Sequence, residues 1–438
     1  FYDQHGQRLG EGAGFDAVIS NPPYVDIKNL GEELTDYLFE CYGTTHWRIN
    51  VFASFLEKAL GVASGRQGKV GFIIPTAFLT QISYTPLREL VLDNCWVTDI
   101  VRLPNELFGK VAGDVKVDTC IFVADKNRPT KGLYADVLVY DSFKRISSIS
   151  GDTASAAFQT PQERWLEREE AVITLTRREE FDVVDRMQAE STPLEEQCEF
   201  CLGLTPYDKY AGHTERQIEE KAFHAKSRRG PDYRKLLRSG DVKRYVVKWN
   251  GEDWIKYGEW LAAPREQRFF TEERILVQQI IDWSSLRILS GWTDQELYNT
   301  QNQFNLLARQ HTNLKFILAL LNSRLMSFYH RKVFLDVALQ RFQKVLIKDA
   351  KTFPIRRINF TMPDDERERL LAAATTEATE WIEATEKGSF ASVRSVSFSA
   401  FSGSTLARWL DQRLSAEPEQ ADVVHDLLAH LAERMIAM

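Results

Sequence analysis

Phe15-Asp16-Ala17-Val18-Ile19-Ser20-Asn21-Pro22-Pro23-Tyr24 is the stretch whose reading decides the fold. An apolar run reads as a buried strand, and Asn-Pro-Pro closes it with a rigid turn. The Asn21 side chain and a backbone carbonyl of the turn can accept both hydrogens of a planar amino group. Tyr24 offers a flat face to the same ring. Such a turn belongs at the carboxyl edge of a parallel sheet, where open α/β folds bind ligands.

The segments that follow alternate strand and helix, the pattern of a mostly parallel sheet. Phe52, Phe55, Leu56, Ala59 and Leu60 share one face of a helix over Asn50–Ala63. Gly68–Pro75 reads as a second buried strand, Pro86–Asn94 as a helix, and Val97–Leu103 and Thr119–Ala124 as further strands. Pro104–Val117 is a Gly-punctuated loop between the last two. A charged helix over Thr176–Gln188 leaves this part and is broken by Ser191-Thr192-Pro193. From Glu196 to Ile358 the texture changes to short aromatic-rich strands, such as Tyr245–Trp249 and Arg274–Ile280, with one helix at Leu314–Tyr329. After Pro363 the chain is helical and charged, with a Ser-rich interruption at Ser389–Ser404 and a last amphipathic helix at Ala421–Met438.

The bulk properties are those of an ordinary globular protein of 438 residues, 44% hydrophobic and 27% charged, with no run long enough to span a membrane. Five cysteines at irregular spacing point to a reducing cytoplasm rather than a disulfide framework. The net charge of −7 excludes a uniformly basic nucleic-acid coat but not a basic groove on an acidic body. Lys221–Lys248 is such a concentration, with Arg228, Arg229, Arg234, Lys235, Lys243 and Arg244 among its cations and only Asp232 and Asp241 against them. The compensating acid lies mainly in 162–200 and 364–387.

Phe15–Tyr24 resembles motif IV of the DNA N6-adenine methyltransferases, and the later segments resemble that family in order. Asn50–Ala59 is similar to its next helix and Gly68–Leu79 to the strand after it, while Asn105-Glu106-Leu107-Phe108 before Val117–Val123 resembles motif VIII. The subgroup is the Eco57I/TaqI-like restriction–modification methylases. Their target-recognition domain is similar to Ser239–Tyr245, Trp254–Tyr257 and Leu320-Leu321-Asn322-Ser323. The resemblance covers about residues 15–358.

It implies an α/β fold: the C-terminal part of a Rossmann-like methyltransferase sheet over 1–190, an α+β target-recognition domain over 191–358, and a helical C-terminal segment over 359–438. It implies transfer of the methyl group of S-adenosyl-L-methionine to adenine N6 in double-stranded DNA, after the base is flipped from the helix. Asn21 and the Pro22 carbonyl would hold the amino group, with Pro23 stiffening the turn. Tyr24 would stack on one face of the base and Phe108 pack against the other. No metal is needed, and the lone Cys198-Glu199-Phe200-Cys201 lacks the second ligand pair of a zinc site.

The family's Gly-rich cofactor element lies before motif IV, yet only twenty residues precede Asn21. Gly10-Glu11-Gly12-Ala13-Gly14 follows no strand and opens no helix, so it reads as a linker. The expectation is the C-terminal portion of a longer enzyme, or one half of a split one, whose cofactor site is incomplete here and completed by the missing N-terminal portion or a complementary subunit. The alternatives are a DNA-binding specificity module without catalysis and an amino methyltransferase acting on RNA or protein glutamine. N4-cytosine methylation is disfavoured, because that group tends to place Ser or Asp where Asn21 stands.

Overall fold

The computed structural model describes residues 5, 7, 10, 12–45, 50–65, 67–104, 118–140, 146–281, 286–309, 311–334, 344–384 and 401–437. These residues form two compact units, one ending at Val183 and the other beginning at Val184.

In the first unit six strands form one sheet: β1 (Ala17–Ser20), β2 (Lys69–Pro75), β3 (Trp96–Arg102), β4 (Thr119–Asp125), β5 (Tyr134–Val139) and β6 (Ala156–Pro161), in the order β1-β2-β4-β3-β5-β6. β1 pairs parallel to β2 and β3 parallel to β5, while β4 runs antiparallel to both β2 and β3. The strands β1, β2, β3 and β5 therefore point the same way, and their carboxyl ends share one edge. β4 sits antiparallel between β2 and β3, and Lys69 pairs with Asp125 at 2.7 Å where the β2–β4 ladder begins.

Alternation places Val70, Phe72 and Ile74 of β2 in the core, against Phe122 and Ala124 of β4. The helix Phe52–Val62 adds Phe52, Leu56, Ala59 and Leu60, the spacing of one apolar stripe. Each large side chain buried this way contributes about 1.5–3 kcal/mol before entropy is subtracted. A helix the sequence pattern did not reveal, Glu32–Cys41, lies between the Pro-Pro turn and this stripe. It buries only Leu38, so its periodic signal is weak.

β1 corrects the expectation of a buried strand. It is the edge of the sheet, and Phe15 is 57% and Ile19 85% exposed. The apolar run is real, but the edge position leaves part of it exposed.

The second unit is mostly antiparallel. Its strands are β7 (Ser191–Pro193), β8 (Cys198–Leu202), β9 (His224–Ala225), β10 (Tyr233–Leu237), β11 (Tyr245–Val246) and β12 (Trp254–Lys256). They continue as β13 (Arg274–Gln278), β14 (Ser290–Thr293), β15 (Tyr298–Asn299), β16 (Gln303–Ala308) and β17 (Pro354–Arg356). Five of these form the sheet β11-β14-β13-β16-β8, four the sheet β15-β10-β12-β9, and β17 pairs with β7. Helices over Asp364–Ala384, Thr405–Leu414 and Ala421–Ala437 complete the same unit, the last packing against Leu314–Leu321. The expected succession of an α/β part, an α+β part and C-terminal helices is present.

Two strand and helix expectations need correction. The Tyr245–Trp249 strand is only Tyr245–Val246, because Val247 bridges instead to Val242 and the Lys248 N–H donates to the Asp241 carbonyl. The helix expected over Leu314–Tyr329 is two, Leu314–Leu321 and Arg324–Val333. Ser323 caps the second by accepting from the Met326 backbone at 2.9 Å. Asn322 donates through its side chain to Ser290 and Leu318 carbonyls, which ties the break to β14.

Candidate active site

β1 delivers Asn21-Pro22-Pro23-Tyr24 to the carboxyl edge of the first sheet, beside the end of β2. Pro22 is buried, Tyr24 half-buried, and Asn21 and Pro23 exposed. The turn is held from its far side. The Val51 backbone donates to the Val25 carbonyl at 2.8 Å, and Asp26 bridges to Asn50 at the start of the helix Phe52–Val62. The Asn50 N–H donates in turn to the Tyr84 hydroxyl at 3.3 Å.

Tyr24 packs against the core of the first unit and donates its hydroxyl to the Ile73 carbonyl of β2 at 2.8 Å. Burial, with a smaller push from the Cys120 thiol, raises the phenol to about 12. At neutral pH its proton stays in place, so Tyr24 is no base; what it presents is a ring face. Neither the Asn21 side-chain amide nor the Pro22 carbonyl makes a hydrogen bond among the described residues. Two unengaged acceptors thus come just ahead, in the chain, of an aromatic ring pinned to β2.

β2 ends beside this turn. There Thr76 donates its backbone N–H to the Asp118 carbonyl at 2.8 Å, continuing the β2–β4 ladder past Pro75. Phe108, the expected second wall, lies outside the described residues, as does all of 105–117.

The glycines before β1 serve a packing role. Gly65 donates to the Gly12 carbonyl at 2.9 Å, Phe15 to that of Val62 at 3.0 Å, and Ser64 to that of Phe15 at 2.9 Å. A Cβ on Gly14 would fall 2.6 Å from the backbone of Ala63 and Ser64. These residues bind strand to helix end, and they form no cradle for a cofactor.

The structure divides the six cations singled out by sequence. Arg228, Arg229 and Lys243 are exposed and make no ion pair among the described residues. Arg234 pairs with Glu296 at 3.0 Å, and Lys235 lies 5.2 Å from the centre of the Trp249 ring. Arg244 donates to the Asn322 carbonyl at 2.9 Å and lies over Tyr245, so it joins β11 to the helix break. Asp253, just beyond the basic run, had no signal in the pattern. Burial works to raise its carboxyl, but hydrogen bonds from Arg238, Lys226 and Asn250 outweigh that and hold it at about 2. Cys198 is buried in β8, and burial pushes its thiol up to about 12.

Comparison with known proteins gives the lineage. Residues 2–108 match the Eco57I restriction-modification methylase family and residues 234–355 the TaqI-like C-terminal specificity domain. A putative type II restriction enzyme and methyltransferase of Methanocaldococcus jannaschii, RM.MjaORFECS2P, is 22% identical over 349 residues, which are 78% of this chain and 27% of the relative. The type II methyltransferase M.BstVI of Geobacillus stearothermophilus is 32% identical over 93 residues, 21% of this chain and 16% of the relative. The adenine-specific methyltransferase BrxX of Escherichia coli is 27% identical over 123 residues, 28% of this chain and 10% of the relative. Among solved structures, the type IIL restriction-modification enzyme MmeI in complex with DNA covers 95% of this chain and 54% of its own, with 10% identity and a TM-score of 0.47. The chain spans about a quarter or less of the length of these curated relatives. The chain thus carries a segment similar to the Eco57I restriction-modification methylases, followed by one similar to the TaqI-like C-terminal specificity domain.

Proposed function

We propose that the chain grips a flipped adenine and reads its sequence context in a DNA adenine-N6 methyltransferase of a bacterial restriction–modification or phage-defence system. The observation that supports this is the pair of unengaged acceptors at Asn21 and Pro22 just ahead of Tyr24, whose ring is pinned to β2 through its hydroxyl. An exocyclic amino group has two hydrogens and a lone pair delocalised into its ring. When the Asn21 Oδ1 and the Pro22 carbonyl accept both hydrogens, the nitrogen is drawn toward tetrahedral geometry and its lone pair becomes available. Extruding the base costs a few kcal/mol, and stacking on Tyr24 returns roughly 1–3 kcal/mol. S-adenosyl-L-methionine supplies the electrophilic methyl group; the part that holds it would cover the open side of β1, either in the same polypeptide or as a partner subunit.

The second reading is a specificity module without catalysis, favoured by the packing role of the glycines before β1, which bind strand to helix end. Titration of the 438-residue chain with labelled S-adenosyl-L-methionine separates the two: weak or no binding is expected, and micromolar binding would show that these 438 residues suffice. The adenine reading is tested by methyl transfer from labelled cofactor to duplex DNA in the complete gene product, followed by nucleoside analysis. N6-methyladenine is expected, and its loss in Asn21→Ala with DNA binding retained. Label on cytosine, RNA or protein glutamine would overturn it.

A further inference from the structure

In the second unit, the turn after the helix Glu215–Glu219, the ends of β9 and β10, and the turn joining β15 to β16 enclose a cavity of about 670 Å³. Lys221, Lys226, Arg229 and Arg238 line it, against Glu220 and Asp253. Glu220 is paired with Arg216 at 2.9 Å, and Asp253 is held between Lys226 and Arg238. Lys221 and Arg229 are exposed and make no ion pair among the described residues. The cavity therefore carries two cations available to a ligand, with no comparable free carboxylate.

Asn302 and Gln303 line the same cavity from the β15–β16 turn. Three other amides of this region are engaged. Gln278 donates to the Ser239 and Val242 carbonyls, Asn299 to those of Thr300 and Gln303, and Gln301 accepts from Thr205 at 3.5 Å. The Asn302 side chain is exposed and makes no hydrogen bond among the described residues, while its carbonyl accepts from the Gln279 backbone at 3.0 Å and fixes the turn. Gln303 is buried; its Nε2 donates to the Arg238 carbonyl at 3.1 Å, and its Oε1 has no partner. The turn thus presents one primary amide on a braced backbone, next to unneutralised cations.

We propose that this cavity is where the second unit takes duplex DNA: Lys221 and Arg229 contact the phosphodiester backbone, and Asn302 reads a base edge. The proposal rests on the DNA-methyltransferase reading above. The division of labour follows from the groups. Cations hold phosphates in register without distinguishing sequence. A primary amide can both donate and accept, and so matches the N6 and N7 edge of adenine in the major groove.

The test is selection from a randomised duplex pool by the 438-residue chain, with affinity then measured against salt. All three side chains are exposed, so their variants should fold. Asn302→Ala should lose on the order of tenfold discrimination at one base pair and keep the rest of the selected motif. Asn302→Asp should change the preferred base at that same position. Lys221→Ala and Arg229→Ala should weaken binding to all duplexes alike, each lowering the salt slope by about one. If the wild-type chain binds duplex DNA and these variants keep its motif and its slope, the cavity assignment is overturned while the methyltransferase reading stands. If the wild-type chain binds inorganic phosphate but no duplex, the DNA reading itself fails.

Discussion

The Tyr24 hydroxyl donates to the Ile73 carbonyl at 2.8 Å, so the residue that follows the Pro-Pro turn is pinned to the neighbouring strand by the far end of its ring. The bond fixes the plane of the ring relative to β2, which a stacking surface requires. It also separates two roles that one substitution would confuse. Tyr24→Phe removes one half-buried hydrogen bond and should lower stability by about 1 kcal/mol while the complete enzyme keeps most of its methylation. Tyr24→Ala removes the face as well, and methylation should fall about 5- to 150-fold, the equivalent of stacking worth roughly 1–3 kcal/mol. Equal losses in a methyl-transfer assay would show that the hydroxyl, and not the face, carries the role.

Alkali should act on the same region. Burial raises Tyr24 and Tyr84 to about 12 from an ordinary value of 10. In the unfolded chain these phenols ionise near pH 10, whereas the folded chain keeps their protons to about 12. Between those values the unfolded state binds fewer protons, so stability is full below pH 10 and declines as pH rises toward 12. The melting temperature of the 438-residue chain, followed from pH 8 to 12, should show this decline, and Tyr24→Phe with Tyr84→Phe should flatten it.

Arg88 is a buried cation whose partners are mostly backbone carbonyls. It donates to those of Phe78 at 2.9 Å, Gln81 at 2.7 Å, Glu170 at 2.8 Å and Ala171 at 3.2 Å, and to the Thr85 hydroxyl at 3.0 Å. Burial lowers it to about 10, which leaves it charged at neutral pH. Arg88→Leu strands those carbonyls and should destabilise the chain by about 3 kcal/mol in denaturant unfolding. Arg88→Lys should recover little, because an ammonium cannot reach acceptors spread around a planar fork. Near-wild-type stability of either variant would mean that water replaces the guanidinium.

Gly203 lies under the turn that presents Asn302. A Cβ there would collide with the Thr300 carbonyl, and the main chain cannot yield as a flexible side-chain tip would. Gly203→Ala should cost about 1–3 kcal/mol and displace the 299–303 backbone. Duplex selectivity should weaken although no cation or amide has been altered. A variant with reduced stability but unchanged selectivity would place the reading surface elsewhere.

The first sheet was legible because its strands are apolar and bounded by turn residues. β2 over Lys69–Pro75 and β4 over Thr119–Asp125 fall within a residue of where periodicity puts them. Asn21–Tyr24 announced itself because two prolines fix a turn locally. What was not legible depends on tertiary partners. The exposure of β1 is a property of what lies beside it, and an apolar run reads the same at an edge or in a centre. The break at Asn322 was hidden because apolar spacing continues through it, and only the Ser290 contacts explain it. In the basic run, spacing could not tell Arg244, which is committed to Asn322, from Arg229, which is not. Asn302 was one polar loop residue among several until the hydrogen bonds of its neighbours set it apart.

The uncovered side of β1 governs how the chain behaves in a test tube. Outward N–H and C=O groups of this edge strand, beside the exposed Ile19 side chain, form an adhesive strip that another copy can match. At the concentrations used for purification the 438-residue chain should therefore self-associate, and a charged residue at Ile19 should restore dispersity. A preparation of this chain should therefore be judged by light scattering before it is judged by activity.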